Sequence, residues 1–190
     1  MLKRTALAAA AALLAGSAPA FAHLDPAEHG SMMAGLSHPL FGLDHILAMV
    51  AVGLWAAQLG GRAIWAVPAA FVGTMMAGFL AGTAGLSLPF VEPTILASVV
   101  VLGLLVAASV RLPVALSATL VGVFALFHGH AHSAELGSAG ALAFGAGFAI
   151  STALLHAAGV GLGLSLGRFQ LMARLLGAGT AVAGLALMAG

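Results

Sequence analysis

"HPLFGLDHILAMVAVGLW", residues 38–55, joins a head holding two His and one Asp to an uncharged apolar run. The tail reads as the start of a membrane span, and the apolar character continues to Leu59. The head is the anomaly, because ionisable groups at the threshold of hydrocarbon are costly and point to function. His38 and His45 lie seven positions apart, two helical turns, so a straight helix puts them on one face but about 10.5 Å apart along the axis. That is too far for both to hold one ion. Pro39 and Gly42 allow a break that folds His38 back toward Asp44 and His45. Such non-helical backbone at membrane depth is tolerated where it is buried in protein or lines a cavity.

The rest of the chain has the character of the tail. Its 190 residues are 62% hydrophobic and only 6% charged, with a mean hydropathy of +1.16, against roughly 25% charged residues in a soluble domain. So few charges cannot cover a water-soluble globule, and the reading is an all-α membrane protein. The absence of Cys excludes disulfides, thiolate metal sites and a Cys nucleophile. A net charge of +1 argues against a nucleic-acid partner.

Residues 1–22 read as a cleaved signal peptide. Lys3 and Arg4 form its basic start, Ala6 to Gly16 its apolar centre, and "APAFA" ends in the A-x-A pattern of Ala20 and Ala22. Cleavage leaves His23 as the new N-terminus, where amine and imidazole together can chelate. Beyond it, residues 23–190 read as one six-helix transmembrane domain, with spans near 40–59, 63–82, 94–110, 113–129, 138–160 and 171–189. With the mature N-terminus outside, the inner links hold Arg62, Arg111, Arg168 and Arg174, every Arg after residue 22. The outer segments hold Asp25, Glu28, Asp44, Glu92 and Glu135, every acid. This is the positive-inside pattern of an inner-membrane protein with both termini periplasmic. Seven of the eight His (23, 29, 38, 45, 128, 130 and 132) share the outer side, and only His156 lies deep, late in the fifth span.

A second polar stretch, "FHGHAHSAE" (127–135), closes the fourth span. His128 and His132 are i,i+4 and His132 and Glu135 are i,i+3, so both pairs are neighbours on a helix. His130 points elsewhere if the segment is helical, with Gly129 a candidate helix end. Neutral imidazole and carboxylate suit Ni²⁺, Co²⁺ and Zn²⁺. Glu92 precedes Pro93 at a helix start, where its charge favours the dipole. Met75 and Met76 read as packing. Gly159, Gly163 and Gly167, and likewise Gly78 and Gly82, have the four-residue spacing that lets membrane helices approach closely.

Taken together, "HPLFGLDHILAMVAVGLW", "FHGHAHSAE" and "STALLHAAGVGLG" (151–163) resemble the HupE/UreJ family of hydrogenase and urease accessory proteins. The resemblance covers essentially the whole mature chain. It implies nickel permeation feeding nickel enzymes, with His38, Asp44, His45, His128, His132 and Glu135 as metal residues. The residues themselves, apart from the resemblance, add His23, Glu92, His130 and His156 as secondary ligands or pathway residues. Ser133 stands where the family pattern leads one to expect Gly. No prosthetic group is implied: Ni²⁺ is cargo, with Co²⁺ the alternative, and the partners are the ion, the bilayer and a downstream nickel-enzyme maturation system. No ATP-binding G-x-x-x-x-G-K-[ST] occurs, which favours secondary or facilitated transport over a pump. Two other classes stay open on the residues: a metal-binding accessory protein that does not transport, and an intramembrane zinc hydrolase. No H-E-x-x-H supports the second, and no enzymatic activity is expected.

Overall fold

The computed structural model describes residues 32–135, 140–167 and 169–190, and for Ala134 and Glu135 the backbone alone. The expected signal peptide, His23, Asp25, Glu28, His29 and Arg168 lie outside these residues, as does the Glu135 side chain. Among the described residues there are seven helices and no strand: α1 (Met32–Phe41), α2 (Leu43–Leu59), α3 (Ala63–Thr83), α4 (Val91–Ala108), α5 (Val114–Ala131), α6 (Ala141–Ser165) and α7 (Gln170–Ala189). A short 3₁₀ turn, His132–Glu135, follows α5. The chain is therefore an all-helical, multi-pass membrane protein. Helices α3 to α7 are each long and apolar enough to cross a membrane, and the α1–α2 pair makes a sixth span if its two halves count as one.

That pair stands where one span is expected over 40–59, with a break allowed at Pro39 and Gly42. The two helices meet at an 86° bend. Pro39 deprives the end of α1 of a backbone donor, and Gly42, extended at φ −90° and ψ 113°, is the one residue between them. The break foreseen at Pro39 and Gly42 is thus present and sharp, and it leaves α1 as a separate helix. Other boundaries shift modestly. Helix α4 starts at Val91 rather than 94, since Pro93 is tolerated in a first turn. Helix α6 runs to Ser165, five residues beyond the expected end.

Packing follows the small residues. A Cβ on Gly53 of α2 would strike the His156 carbonyl, and one on Gly159 of α6 would strike that of Val50. These two helices therefore touch backbone to backbone, which is how membrane helices gain dispersion energy in a solvent that offers no hydrophobic drive. Helices α3 and α5 meet in the same way through Gly78 against Leu126 and Gly129 against Met75. Gly129 consequently does not end α5; it is the contact that brings α5 against α3. A Cβ on Gly167 would meet only the Leu164 carbonyl of its own turn, at 3.2 Å, so this glycine is not part of a helix seam. Met75 is fully buried and Met76 packs beside the core, as expected. Large apolar side chains such as Leu104, Leu154 and Val182 are exposed around the bundle, as suits a surface solvated by lipid.

The contacts also order the ends. Along the α2–α6 seam Gly53 meets His156 and Ala57 meets Gly163, so the two helices run in parallel. Along α3–α5, Thr74 meets Gly122 and Gly78 meets Leu126, again in parallel. Along α4–α7, Ala107 meets Gly177 and Val100 meets Gly184, so these two are antiparallel. One end of the bundle thus gathers the links at 60–62 and 109–113, the end of α6 and the start of α7. It carries Arg62 and Arg111, and Arg174 donates to the Ala107 carbonyl there at 2.7 Å. The opposite end carries Asp44, Glu92 and every described His except His156.

Candidate metal site

The site begins at Gly42. A Cβ there would stand 2.9 Å from both Asp44 Oδ1 and His45 Nδ1. Glycine leaves the space in which this pair folds back over the start of α2. The Asp44 carboxylate sits in the first helical turn, where the dipole favours it. Its Oδ1 accepts the His45 backbone N–H at 2.9 Å and the His45 Nδ1–H at 2.8 Å. An ionised carboxylate can only accept, so the proton of a neutral His45 sits on Nδ1 and Nε2 keeps its lone pair. This is the carboxylate–imidazole pairing that orients metal-binding histidines.

Helix α5 brings the remaining rings. His132 Nε2 lies 2.6 Å from His45 Nε2; since His45 has no proton on that nitrogen, His132 is the donor. His128 Nε2 lies 2.9 Å from Ser98 Oγ. The Ser98 hydroxyl spends its single proton on the Ile95 carbonyl at 2.6 Å, so it must accept from His128 Nε2–H. His128 Nδ1 is then a bare lone pair, fully buried and without a hydrogen-bond partner.

Four imidazoles from three segments form one cluster. Ring centroids are 4.4 Å apart for His38–His132, 4.6 Å for His45–His132 and 5.0 Å for His45–His128, and His38 lies 6.5 Å from His45. His45, His128 and His132 are buried and His38 is half-buried. Aromatic rings wall the cluster: Phe148 stands edge-on to His132 at 4.6 Å, and Phe71 lies 5.6 Å from His128. Phe71 also lies 4.9 Å from His156, which is buried and has neither ring nitrogen hydrogen-bonded.

The structure therefore brings together His38, Asp44, His45, His128 and His132. His130, as expected, points away, and its Nε2–H donates to the Leu86 carbonyl at 2.7 Å. Glu92 is exposed in the first turn of α4 and makes no hydrogen bond or ion pair among the described residues. Ser133 caps the helix end through the His130 carbonyl at 2.7 Å. Ser98, Phe71 and Phe148 are site residues that the sequence reading missed. The available signal for Ser98 was weak, one of two hydroxyls in the apolar run of α4; the Phe residues carried none.

Among the described residues no three His, Asp or Glu side chains are already spaced as a metal-binding group. His45 and His132 are spaced as a hydrogen-bonded pair. Two nitrogens bound to one ion at about 2.0–2.1 Å stand roughly 2.9–3.4 Å apart, whereas these two are drawn to 2.6 Å by the hydrogen bond between them.

The profile of the HupE/UreJ proteins matches residues 11–187. Protein HupE of Rhizobium leguminosarum bv. viciae is 48% identical over 182 residues, covering 94% of this chain and 95% of that protein. No solved structure matches the chain. By the extent of both similarities, this chain belongs to the HupE/UreJ family.

Proposed function

We propose that the chain is a nickel permease of the bacterial inner membrane, with cobalt as the second cargo, supplying metal to nickel enzymes such as hydrogenase or urease. Nickel itself comes from the family resemblance; the chemistry of the site asks for a divalent ion that favours imidazole. The observation that carries the reading is the pair of lone pairs, on His45 Nε2 and His128 Nδ1, inside one buried imidazole cluster with the Asp44 carboxylate behind it. His38 and His132 complete the ligand set, and Glu135 belongs to it by the resemblance. His23, Glu92 and His130 are capture residues at the mouth.

In this reading residues 1–22 are removed as a signal peptide, 23–190 form the transport domain, and the Arg-bearing end faces the cytoplasm. The ion exchanges water for imidazole at the outer end, and Asp44 offsets part of its charge. His132 releases its Nε2 proton as it binds, since metals compete with protons for imidazole. The ion then passes Phe71 to His156. A single imidazole holds it more weakly than the cluster does, and conduction needs sites that let go.

The test is uptake by the purified chain in liposomes that enclose a metal-sensitive dye. Nickel-dependent signal, competed by cobalt and absent from empty liposomes, is the expected result. Nickel binding without flux would assign the chain to a non-transporting accessory role.

A further inference from the structure

At the end of the bundle opposite the histidine cluster, a cavity of about 260 Å³ lies between the ends of α2 and α6, the α4–α5 link and the start of α7. Its charged and polar lining is Gln58, Ser109, Arg111 and Gln170, and among the described residues no carboxylate or imidazole borders it. Arg111 is the informative member. A cation just past a helix C-terminus ordinarily serves the last carbonyls, but the carbonyls before Arg111 are already taken. Gln58 Nε2 donates to that of Val106 at 3.1 Å, Arg174 Nε to that of Ala107 at 2.7 Å and Trp55 Nε1 to that of Val110 at 2.8 Å. The Arg111 guanidinium is exposed and has neither hydrogen bond nor ion pair among the described residues. The Ser109 hydroxyl and the Gln170 amide, on either side of the same cavity, have no hydrogen bond there either. One uncompensated cation and two neutral donors thus border a space to which the described residues bring no anion.

The start of α7 joins this cavity to the lipid-facing surface. Gln170 and Ala173 line it, while Leu171 and Leu175 of the same helix are exposed and, four residues apart, share a face. A phosphate group is an anion that a guanidinium grips with paired N–H bonds, and basic pockets between membrane helices take lipid headgroups. At a liquid share of about 30 Å³ per water the volume equals roughly eight waters, which is room for a phosphate and the glycerol attached to it.

On these grounds we infer that the cavity binds the phosphate group of a phospholipid. Arg111 holds the phosphate oxygens, Ser109 and Gln170 add neutral donors, and the acyl chains lie along Leu171 and Leu175. A free phosphate ion shares the headgroup chemistry but makes no use of the apolar face beside it. The site is at the far end from the imidazoles and does not depend on the transport reading.

The test uses the full purified chain, stripped of lipid in detergent and titrated under native mass spectrometry. The probes are phosphatidylglycerol, diacylglycerol with the same tails, and inorganic phosphate. Phosphatidylglycerol should bind more tightly than diacylglycerol. Arg111→Gln should weaken it about tenfold, the worth of one hydrogen bond to a charged partner. Arg62→Gln, at the same end but outside the cavity, should stay within about twofold, as an exposed charge does. Both positions are exposed, and an unchanged melting temperature without lipid checks that the variants fold. Equal loss in the two variants would mean diffuse attraction to a basic surface and overturn the inference, as would no loss in Arg111→Gln or equal binding of diacylglycerol. Binding of inorganic phosphate that needs Arg111, without binding of phosphatidylglycerol, would overturn the lipid as the source of the phosphate.

Discussion

Replacing Ser98 by Ala removes one oxygen atom that touches no metal in the proposed path, yet it should weaken nickel capture strongly. The Ser98 hydroxyl is committed to the Ile95 carbonyl and therefore accepts from His128 Nε2 at 2.9 Å. That single contact keeps the ring proton on Nε2 and leaves the Nδ1 lone pair bare. Without it a fully buried imidazole has no hydrogen-bond partner on either nitrogen, and the orphaned N–H alone costs about 1–3 kcal/mol. The ring is then free to turn or to carry its proton on Nδ1, where it blocks the ligand. Loss of such an orienting partner typically costs about 10–100-fold in metal affinity, or about 1.4–2.7 kcal/mol. Initial uptake rates measured well below half-saturation should fall by that factor, with protein in the membrane close to normal. Ser98→Thr keeps the hydroxyl and should stay within about threefold of the unsubstituted chain. If Ser98→Ala and Ser98→Thr are indistinguishable from the unsubstituted chain in nickel dependence, the proton assignment of His128 is wrong, and with it the use of Nδ1 as a ligand.

Asp44→Asn keeps the size of the group behind His45 but loses its charge and lets an amide N–H face Nδ1. Uptake at limiting nickel should drop by about 10–100-fold while immunoblots of the membrane fraction stay unchanged, and normal transport would refute the pairing. His130→Ala should do far less, within about threefold, because this ring is bonded to the Leu86 carbonyl outside the cluster; damage equal to that of His45→Ala would redraw the site. A C-terminal reporter active only in the cytoplasm should stay silent, since Gly190 lies at the end opposite Arg62 and Arg111; a strong signal would reverse the orientation.

Much of this architecture is legible in the chain because it depends on periods within single helices. The runs that end at Leu59, Thr83 and Ala189 announce themselves by hydropathy, and the split of Arg from Asp and Glu orders the two ends. The i,i+4 spacing of His128 and His132 puts both rings against His45, and Pro39 with Gly42 marks the break. What could not be read is whatever depends on register between helices. Nothing in "ILASVV" says that Ser98 meets an imidazole thirty positions later. The GxxxG pattern flags Gly159 but not its partner Gly53, which has no glycine four residues away. Asp44 stood out as a charge at the start of a span, but that its Oδ1 turns to His45 Nδ1 depends on the conformation of Gly42.

The single-residue junction at Gly42 makes the length of this segment a matter of metre. An added residue between Pro39 and Leu43 would turn α1 by about 100° and displace it by about 1.5 Å if helical. His38 would swing off His132, and Gly35 would lose its seat against Phe144. The exposed link at 84–90 ties no cluster ring directly and can absorb extra residues at a slowly growing entropic cost. Chains that share this imidazole cluster should therefore keep the interval from His38 to His45 invariant, and collect their insertions and deletions in links such as 84–90.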